Sequence, residues 1–572
     1  MKNLLYLMLM KHSENNKFII AEILYWWTLA VVIAPNILLS FTEPISIFGK
    51  LTNSILPTGV WWVCLSLSKK VGRTSLFMFP LMFFAAFQIV LLGLYGRSII
   101  AVDMLLNLLT TNPAEAGELL GNMMTYVLLV IVMYIPPIVT AILCCVKGIY
   151  LKNIFIQRYR IIAICLTITG IFTLIAAYSS GTGYSVKNDL FPINVLYNVK
   201  LAIHRAVKMT SNKSIDYNHY AHYDSSRNSR EIYVMVIGET SRADHWQLNG
   251  YTRQTNPQLN DSTYISFPKV LSESNTTHKS VPMLLSHLTA ENFEDSIYCV
   301  KSIISAFKEA GFKTAFFSNQ RYNRSFIDRF GFEADTSIFI KEMDGAVSNP
   351  NDLSLVPYLT AQISEGNRKQ LIVLHSYGSH FSYIDRYEGI EPTFTPDYPL
   401  QANPSHRNEL INAYDNSILL TSKLLSEVTS ELSNLDCPAA MIYTSDHGED
   451  IFDDNRNLFL HASPVPSAYQ IHVPFILWFN KAYVSQYPSI IKAAEANRLK
   501  NVSSSSSFAQ TAFDIAGIRT AVSDTTMSVV NISYKEPKRI YLTDHNIGLP
   551  LRDIGMRQID FEILDSLKIS TD

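Results

Sequence analysis

Cysteine and net charge are the two things this sequence has least of. Its 572 residues include six cysteines, and only Cys299 and Cys437 lie in the polar two-thirds of the chain. Two isolated cysteines cannot form a disulfide framework, and neither has the spacing of a zinc ligand. The formal net charge is −2, so the chain carries no basic field of the kind that attracts nucleic acid, and no nucleic-acid partner is expected.

Long apolar stretches are concentrated before residue 180 and predict a membrane domain over residues 1–180. Five of them approach the length of about 20 residues that crosses a bilayer. The predicted spans are Phe18–Phe41, Leu51–Ser68, Ser75–Gly96, Met123–Val146 and Ile161–Tyr178. The second has the weakest support, because it is short and contains Pro57 and Gly59. The first is too long for a signal-peptide core and lacks a small-residue cleavage site, so we expect it to be retained.

Basic residues flank these spans on one side. They are Lys2, Lys11 and Lys17 before the first span, Lys69, Lys70 and Arg73 after the second, and Lys147, Lys152, Arg158 and Arg160 after the fourth. Because cytoplasmic loops are enriched in Lys and Arg, that side is expected to be the cytoplasm. Five spans then place residues 179 onward on the outer side.

The outer loop between the third and fourth spans contains a regularly spaced polar set. Asn107, Thr111 and Glu115 recur every four residues, so a helix would present them on one face. A solvated helix at the membrane surface explains this pattern. The alternative is a polar strip that faces lipid headgroups or the polar two-thirds of the chain, and we carry the three residues forward as candidate substrate contacts.

The remaining chain divides into a connector over residues 181–230 and an α/β domain over residues 231–572. Within the connector, residues 190–207 have the helical spacing of a helix lying on a membrane surface. Strands are predicted at Ile232–Ile237, Thr314–Phe317, Leu371–His375, Ala440–Thr444, Phe475–Phe479 and Ile540–Leu542, and helices at Lys301–Ala310, Asn408–Leu432 and Phe508–Ala516. Apolar strands alternating with helices predict a mostly parallel sheet covered by helices on both faces. The run Ser503–Ser507 is predicted as a loop that caps the following helix.

Four separate segments supply residues that suit one metal site. Glu239 and the pair Asp446-His447 each follow a predicted strand, and ligands in such sheets collect beyond the carboxyl ends of the strands. Glu239, Asp446 and His447 fit as zinc ligands, and Thr277 fits as a hydroxyl that the metal activates as a nucleophile. Each residue alone is as compatible with a helix cap or a surface position. The hypothesis depends on their joint occurrence after strand ends.

Further residues are candidates for roles around this site. His380 and His461 could protonate a leaving oxygen, hold a phosphoryl oxygen or bind a second zinc, although a loop histidine is often only a surface residue. Lys279 and Asn319 could contact a phosphate, and Lys279 could equally be a solvated charge.

Several motifs resemble those of bacterial phosphoethanolamine transferases, which include lipid A modifying and mobile colistin resistance enzymes. They are residues 237–245 (Ile-Gly-Glu-Thr-Ser-Arg-Ala-Asp-His), 248–257 (Leu-Asn-Gly-Tyr-Thr-Arg-Gln-Thr-Asn-Pro), 412–417 (Asn-Ala-Tyr-Asp-Asn-Ser), 445–449 (Ser-Asp-His-Gly-Glu) and 473–475 (Val-Pro-Phe). The five-span layout, with its outer loop bearing Asn107, Thr111 and Glu115, is similar as well. The resemblance covers nearly the whole chain in order.

This resemblance implies an alkaline-phosphatase-like (sulfatase-type) fold in the periplasm, anchored in the bacterial inner membrane. It implies metal ligation by Glu239, Thr277, Asp446 and His447, with His380 and His461 as further active-site histidines. The implied nucleophile lies three residues before Ser280-Val281-Pro282, which is Thr277. The implied reaction is ping-pong: Thr277 attacks phosphatidylethanolamine, diacylglycerol leaves, and an acceptor then takes the phosphoethanolamine group.

One departure from the lipid A branch concerns the acceptor. Where that branch has cysteines on either side of the nucleophile loop, this chain has Glu273 and Met283. Residues 277–280 and 317–320 resemble cysteine-poor relatives that modify core sugars or periplasmic glucans. Lipid A, a lipopolysaccharide core sugar and a periplasmic glucan therefore all stay open as acceptors.

Three alternatives belong to other reaction or protein classes. A phosphoglycerol transferase of the lipoteichoic acid synthase type shares five spans and a threonine nucleophile, although the Glu-Thr-Ser-Arg-Ala-Asp opening argues against it. A hydrolytic sulfatase is disfavoured, because the chain has no Cys/Ser-x-Pro-x-Arg segment. A non-catalytic membrane protein of the same fold is disfavoured because every expected ligand is present.

Overall fold

The structure is a computed structural model of the chain, which divides into two compact units. One unit comprises Met1–Leu105 with Leu119–Ile203, and the other comprises Leu106–Glu118 with His204–Asp572. The structure describes residues 2–95, 99–110, 124–181, 183–209, 215–224, 226–259, 263–343, 349–398 and 402–572. The domain boundaries predicted at residues 180 and 230 stay predictions.

Helices dominate the described residues before residue 210. They are Lys2–Thr42, Ile47–Leu65, Val71–Phe77, Phe79–Tyr95, Val102–Thr110, Met124–Val146, Asn153–Ser179, Val186–Asp189 and Ile193–Met209. Each of the five predicted spans coincides with one of these helices or with the pair that is bent by 56° at Met78. The helix predicted over residues 190–207 is also present, as Ile193–Met209.

Not all five helical spans are equally apolar. Among the described residues, Asn16–Thr42, Tyr126–Val146 and Asn153–Ser179 are long and apolar enough to cross a membrane, and the bent pair makes a fourth if it is one span. The helix Ile47–Leu65 falls short of this measure, in agreement with its weak sequence support. Large apolar side chains such as Phe172, which is 67% exposed, lie on outer helix faces. Lipid tails would cover such faces in a bilayer.

The second unit is built on a seven-stranded sheet. The strands of the chain are β1 (His222–Tyr223), β2 (Glu231–Gly238), β3 (Tyr264–Ser266), β4 (Val270–Leu271), β5 (Lys313–Ser318), β6 (Thr336–Phe339), β7 (Lys369–His375), β8 (Ala439–Ser445), β9 (Asp450–Ile451), β10 (Phe459–Leu460), β11 (Phe475–Phe479), β12 (Val502–Ser503), β13 (Ile518–Arg519), β14 (Ile540–Leu542) and β15 (Gly548–Pro550). The sheet order is β3-β11-β8-β2-β7-β5-β6. All neighbours are parallel except β11, which is antiparallel to both β3 and β8. The predicted mostly parallel sheet is confirmed.

Helices cover both faces of this sheet. The α-helices are Thr277–Leu284, Phe293–Ser296, Ile303–Glu309, Phe326–Gly331, Val356–Ser364, Arg407–Ser433, Ala468–Ile471, Lys481–Gln486, Pro488–Asn497, Ser504–Ala516 and Gln558–Ser566. Successive side chains of a strand point to opposite faces. Accordingly, Met235 belongs to the core that contains Phe307 and Phe513, whereas Val234 belongs to the core that contains Val428.

One prediction about this unit is wrong. The run Ser503–Ser507 is not a capping loop, because Ser504–Ser507 form the buried first turn of the helix Ser504–Ala516, and Ser503 makes no side-chain cap. A run of serines is typical of helix caps, which is why the sequence alone predicted a loop at Ser503–Ser507. The predicted strand Ile540–Leu542 is confirmed, and it pairs with Gly548–Pro550 in a separate two-stranded sheet. The three apolar residues of the strand Ile540–Leu542 do not indicate which strand they pair with.

The register of the central strands brings four strand ends to one edge. Gly238, the last residue of β2, pairs with Ser445 at the end of β8. His375 ends β7, where it pairs with Ile237 on one side and with Ser318 at the end of β5 on the other. Neighbouring strands lie about 4.8 Å apart, so the segments that follow these four strands start side by side along one edge of the sheet.

Candidate active site

Glu239 is the first residue beyond β2, and its side chain is held by short polar contacts. It is 1% exposed, its Oε1 accepts a hydrogen bond from Thr240 Oγ1 at 2.9 Å, and its Oε2 accepts one from Gln320 Nε2 at 3.2 Å. Thr240 has a positive φ of 58°, which is rare for a β-branched residue and is typical of functional sites. This turn directs the Glu239 carboxylate away from the sheet and over its edge.

Thr277 is the first residue of the helix Thr277–Leu284, directly after Thr276 at the cap position. Its side chain is only half-buried. The Thr277 hydroxyl lies 3.1 Å from Glu239 Oε1 and 3.1 Å from His447 Nε2. The hydroxyl thus stands between a carboxylate and an imidazole that come from 38 and 170 residues away in sequence.

The pair Asp446-His447 follows β8, and both side chains are fully buried. His447 Nδ1 lies 2.9 Å from Gly448 O. A hydrogen donated there makes Nε2 the nitrogen with a lone pair. Asp446 Oδ1 accepts hydrogen bonds from the backbone N–H groups of Thr240 and His447. Asp446 Oδ2 lies 3.2 Å from His447 Nε2 and accepts no hydrogen bond from the part of the chain that is described.

These groups have the electrostatics of a cation site. Burial, and then the neighbouring Asp446, raise the pKa of Glu239 well above its usual range, and burial raises the pKa of Asp446 to about 7. Two buried carboxylates this close disfavour each other's ionised forms unless a cation lies between them. Ligand atoms of Glu239, His447 and His461 also lie within 4.8 Å of one another. Carboxylate oxygens and imidazole nitrogens with one unsatisfied buried oxygen fit zinc.

His461 and His380 lie beside this cluster. The His461 ring is 4.2 Å from the His447 ring and 5.8 Å from the His380 ring, measured between centroids. Glu449 Oε2 lies 3.4 Å from His461 Nδ1, which is the arrangement that orients histidines at metal sites. Burial, and then the neighbouring His461, lower the pKa of His380 to about 3, so His380 is neutral near pH 7.

A close backbone contact brings His380 to the site. Gly378 has a positive φ of 50°, and a Cβ atom there would lie 2.5 Å from the backbone oxygen of Glu239. The next residue, Ser379, donates its N–H to that oxygen at 2.9 Å. Only glycine permits this approach, which explains the Gly-Ser-His order.

The two residues predicted to contact phosphate also hydrogen-bond to other parts of the chain. The Lys279 ammonium is buried and donates to Thr543 O at 2.8 Å. The Asn319 amide donates to Pro350 O and to Asp352 Oδ1. The neighbour that reaches the site is Gln320, which sequence reasoning missed. Its only sequence signal is its position two residues beyond the end of β5.

The three candidate substrate contacts of the outer loop cannot be compared with this geometry. Asn107 is in the helix Val102–Thr110, but its side chain is outside what the structure describes. Thr111 and Glu115 lie outside the described residues.

The segment 412–417 supports the opening motif from behind. The Tyr414 hydroxyl accepts a hydrogen bond from Arg242 N and donates one to Thr240 O, both at 2.8 Å. Asp415 accepts from His245, which lies 2.6 Å away at Nδ1, and from Arg253. These buried bonds fix the turn after Glu239, so His245 has a structural role.

Comparisons with known proteins agree with this fold. The profile of the family described as Sulfatase matches residues 231–518. Phosphoethanolamine transferase EptA of Escherichia coli (strain K12) is 27% identical over 266 residues, which are 45% of this chain and 48% of EptA. The chain thus spans about half the length of the first curated relatives that it matches.

Two solved structures show the same architecture. The integral membrane protein lipooligosaccharide phosphoethanolamine transferase A (EptA) from Neisseria meningitidis matches with a TM-score of 0.70 and 20% identity, covering 91% of this chain and 98% of that one. A zinc complex of the C-terminal periplasmic domain of EcEptC from Escherichia coli matches with a TM-score of 0.52 and 21% identity, covering 59% and 97%. The resemblance that the motifs indicated, and the fold that it implied, are confirmed.

Proposed function

The chain belongs to the sulfatase family, and from this premise we propose that it is a membrane-anchored phosphoethanolamine transferase with Thr277 as its nucleophile. The observation that carries the proposal is the position of the Thr277 hydroxyl, 3.1 Å from both Glu239 Oε1 and His447 Nε2. Family membership alone does not imply sulfate-ester hydrolysis, because the chain has no Cys/Ser-x-Pro-x-Arg segment. The relatives named as phosphoethanolamine transferases support the donor class.

In the first half-reaction, Thr277 Oγ attacks the phosphorus of phosphatidylethanolamine. The new Oγ–P bond forms as the bond between phosphorus and the diacylglycerol oxygen breaks, and the threonine proton is finally carried to that oxygen. Glu239 and His447 are the groups within reach of this proton at its start. The N-terminal end of the helix Thr277–Leu284 faces the phosphoryl group and favours its negative charge.

A zinc ion held by Glu239, Asp446 and His447 would lower the pKa of the Thr277 hydroxyl and polarise the phosphoryl oxygens. His461 is oriented by Glu449, so it would contact substrate through Nε2 and protonate the leaving diacylglycerol oxygen there. His380 is neutral and serves as a hydrogen-bonding group. Contact of Lys279 and Asn319 with the substrate phosphate stays a prediction.

In the second half-reaction, an acceptor hydroxyl or phosphate oxygen attacks the same phosphorus. The acceptor O–P bond forms, the Thr277 Oγ–P bond breaks, and the acceptor proton returns to the threonine. The acceptor is part of the bacterial envelope: lipid A, a lipopolysaccharide core sugar or a periplasmic glucan. The low cysteine content favours the two glycan acceptors.

The membrane helices give this chemistry its location. Diacylglycerol is insoluble and stays in the bilayer, so an enzyme that releases it gains from being anchored there. We place the protein in the bacterial inner membrane with residues 231–572 in the periplasm, on the basis of the Lys and Arg residues that flank the spans. Asn107, Thr111 and Glu115 would then lie on the periplasmic side of the membrane, as proposed contacts of the donor lipid.

Trapping the covalent intermediate tests the proposal. Purified protein is incubated with headgroup-labelled phosphatidylethanolamine, and products are analysed by lipid chromatography and peptide mass spectrometry. We expect diacylglycerol and one phosphoethanolamine group on Thr277, both lost in Thr277→Ala and retained in the matched control Thr276→Ser.

Absence of any adduct on the wild type, or an adduct that survives Thr277→Ala, would contradict the proposal. Phosphatidylglycerol is the comparison donor. An adduct formed only from that lipid would identify a phosphoglycerol transferase instead.

A further inference from the structure

A buried glutamine joins two loops of the site that are far apart in sequence. Gln470 lies in the short helix Ala468–Ile471 and is 0% exposed. Its Oε1 accepts a hydrogen bond from Asn275 Nδ2 at 2.5 Å and lies 3.0 Å from Ser463 Oγ, which is also 2.7 Å from Val465 O. Its Nε2 donates to Asp450 Oδ2 at 2.6 Å and to Leu460 O at 3.2 Å. Both N–H groups of the Gln470 amide therefore donate, and its oxygen accepts.

The surrounding network admits only one orientation of this amide. Asn275 Nδ2 also donates to Ser463 O at 2.8 Å, while Asn275 Oδ1 accepts from the Tyr541 hydroxyl at 2.6 Å. Asp450 accepts a second hydrogen bond from Ser467 Oγ at 2.6 Å. Exchanging the oxygen and nitrogen of Gln470 would set donor against donor at Asn275 and acceptor against carboxylate at Asp450.

Each partner of Gln470 adjoins a residue of the proposed reaction. Asn275 lies two residues before Thr277, and its backbone oxygen accepts the N–H of Ala462 at 3.3 Å. Leu460 directly precedes His461 and Ser463 follows it by two residues. Asp450 directly follows Glu449, whose carboxylate contacts His461. Gln470 therefore links the nucleophile side of the site to the histidine side.

We propose that Gln470, together with Asn275, is a positioning residue that sets the distance from Thr277 Oγ to His461. This inference rests on the proposed function, in which Thr277 and His461 act on one phosphoryl group. The network is buried and satisfied, so it has a defined geometry that its removal would release. Displacing a reacting group by roughly 1 Å costs about 10²-fold in rate.

The variant Gln470→Leu is compared with Gln510→Leu. Gln510 is a matched control because its buried amide also joins two segments, through Val522 O and Asp524 N, and neither partner is in the site. We expect both variants to lower the melting temperature. Gln470→Leu should slow single-turnover formation of the Thr277 adduct by about 10²-fold, with donor KM changed by less than roughly threefold. Gln510→Leu should stay within about twofold of the wild-type rate.

A second readout does not depend on activity. The protein is loaded with Co²⁺, whose visible absorption reports coordination geometry, and the spectra of wild type and variants are compared. Because Asn275, which Gln470 holds, lies two residues before the proposed ligand Thr277, Gln470→Leu should shift the spectrum and Gln510→Leu should not. If Gln470→Leu fails to fold, Asn275→Asp replaces it, since it removes the donor to Gln470 and keeps the acceptor for Tyr541.

The outcomes separate this inference from the proposed function. Wild-type rate and spectrum in Gln470→Leu or Asn275→Asp would overturn the inference, as would equal losses in Gln510→Leu. If the wild type itself forms no adduct, the proposed function fails, and the Co²⁺ spectra alone decide whether Gln470 positions the site.

Discussion

Gln320 provides the most quantitative test of the proposed metal site. Its Nε2 donates to Glu239 Oε2 at 3.2 Å and to Ser376 O at 2.9 Å, while Glu239 Oε1 faces Thr240 and Thr277. Replacing Gln320 with leucine removes the Nε2 donor, so Oε2 of the buried Glu239 carboxylate loses this hydrogen bond. A hydrogen bond to a charged group contributes about 1.5–3 kcal/mol.

That energy converts to a change in metal affinity, since each 1.4 kcal/mol or so is a factor of ten. We expect Gln320→Leu to weaken zinc binding by roughly 10- to 100-fold, the range found when partners of metal ligands are removed. The assay is competition for zinc with a chromogenic chelator at fixed pH. The control is Arg321→Ala, the adjacent residue, whose side chain is 40% exposed and lies 3.8 Å from Glu342. A zinc affinity of Gln320→Leu within about twofold of wild type, in folded protein, would refute the reasoning.

Two further predictions concern stability of the second unit. Lys369→Met leaves the fully buried Glu231 without the ammonium that lies 2.7 Å away, so the free energy of unfolding in urea should fall by about 3 kcal/mol, whereas Lys492→Met on the surface should have little effect. Equal free energies of unfolding for Lys369→Met and Lys492→Met would contradict this prediction. His287 has its pKa lowered to about 4 by burial, so the fold favours its neutral form. The contribution of His287 to the free energy of unfolding is therefore fully present above pH 6.5. It decreases as the pH falls toward 4, by up to about 1.4 kcal/mol per pH unit. His287→Phe, which keeps the ring stacked on Tyr217, should flatten the dependence of unfolding free energy on pH, and an unchanged slope would contradict the assignment.

Much of the fold could be predicted because its signals are local. Apolar runs such as Ile232–Ile237 are bounded by residues that end strands, and five apolar stretches in the first third coincide with helices. The residues after the strand ends were also identifiable, since parallel strands place those residues at one edge. Glu239, Asp446 and His447 lie together for this reason.

Other features depend on contacts that no local pattern encodes. The two serine and threonine segments at 276–277 and 503–507 look alike in sequence. The first places the half-buried Thr277 at the site, whereas the second begins a fully buried helix. Gln320 and Gln470 acquire their roles only through partners 81 and 195 residues away. Lys279 and Asn319 have side chains suited to phosphate, but the fold directs both to backbone oxygens and a carboxylate.

The position of bound zinc tests the account most directly. Anomalous diffraction at the zinc absorption edge, from crystals of the full chain grown with zinc, locates the metal independently of any assumption about mechanism. We expect a peak about 2.0–2.2 Å from Glu239 Oε1, Asp446 Oδ2, His447 Nε2 and the Thr277 hydroxyl. A peak bound elsewhere, with Thr277 outside coordination distance, would contradict the proposal that these residues form one metal-activated nucleophile.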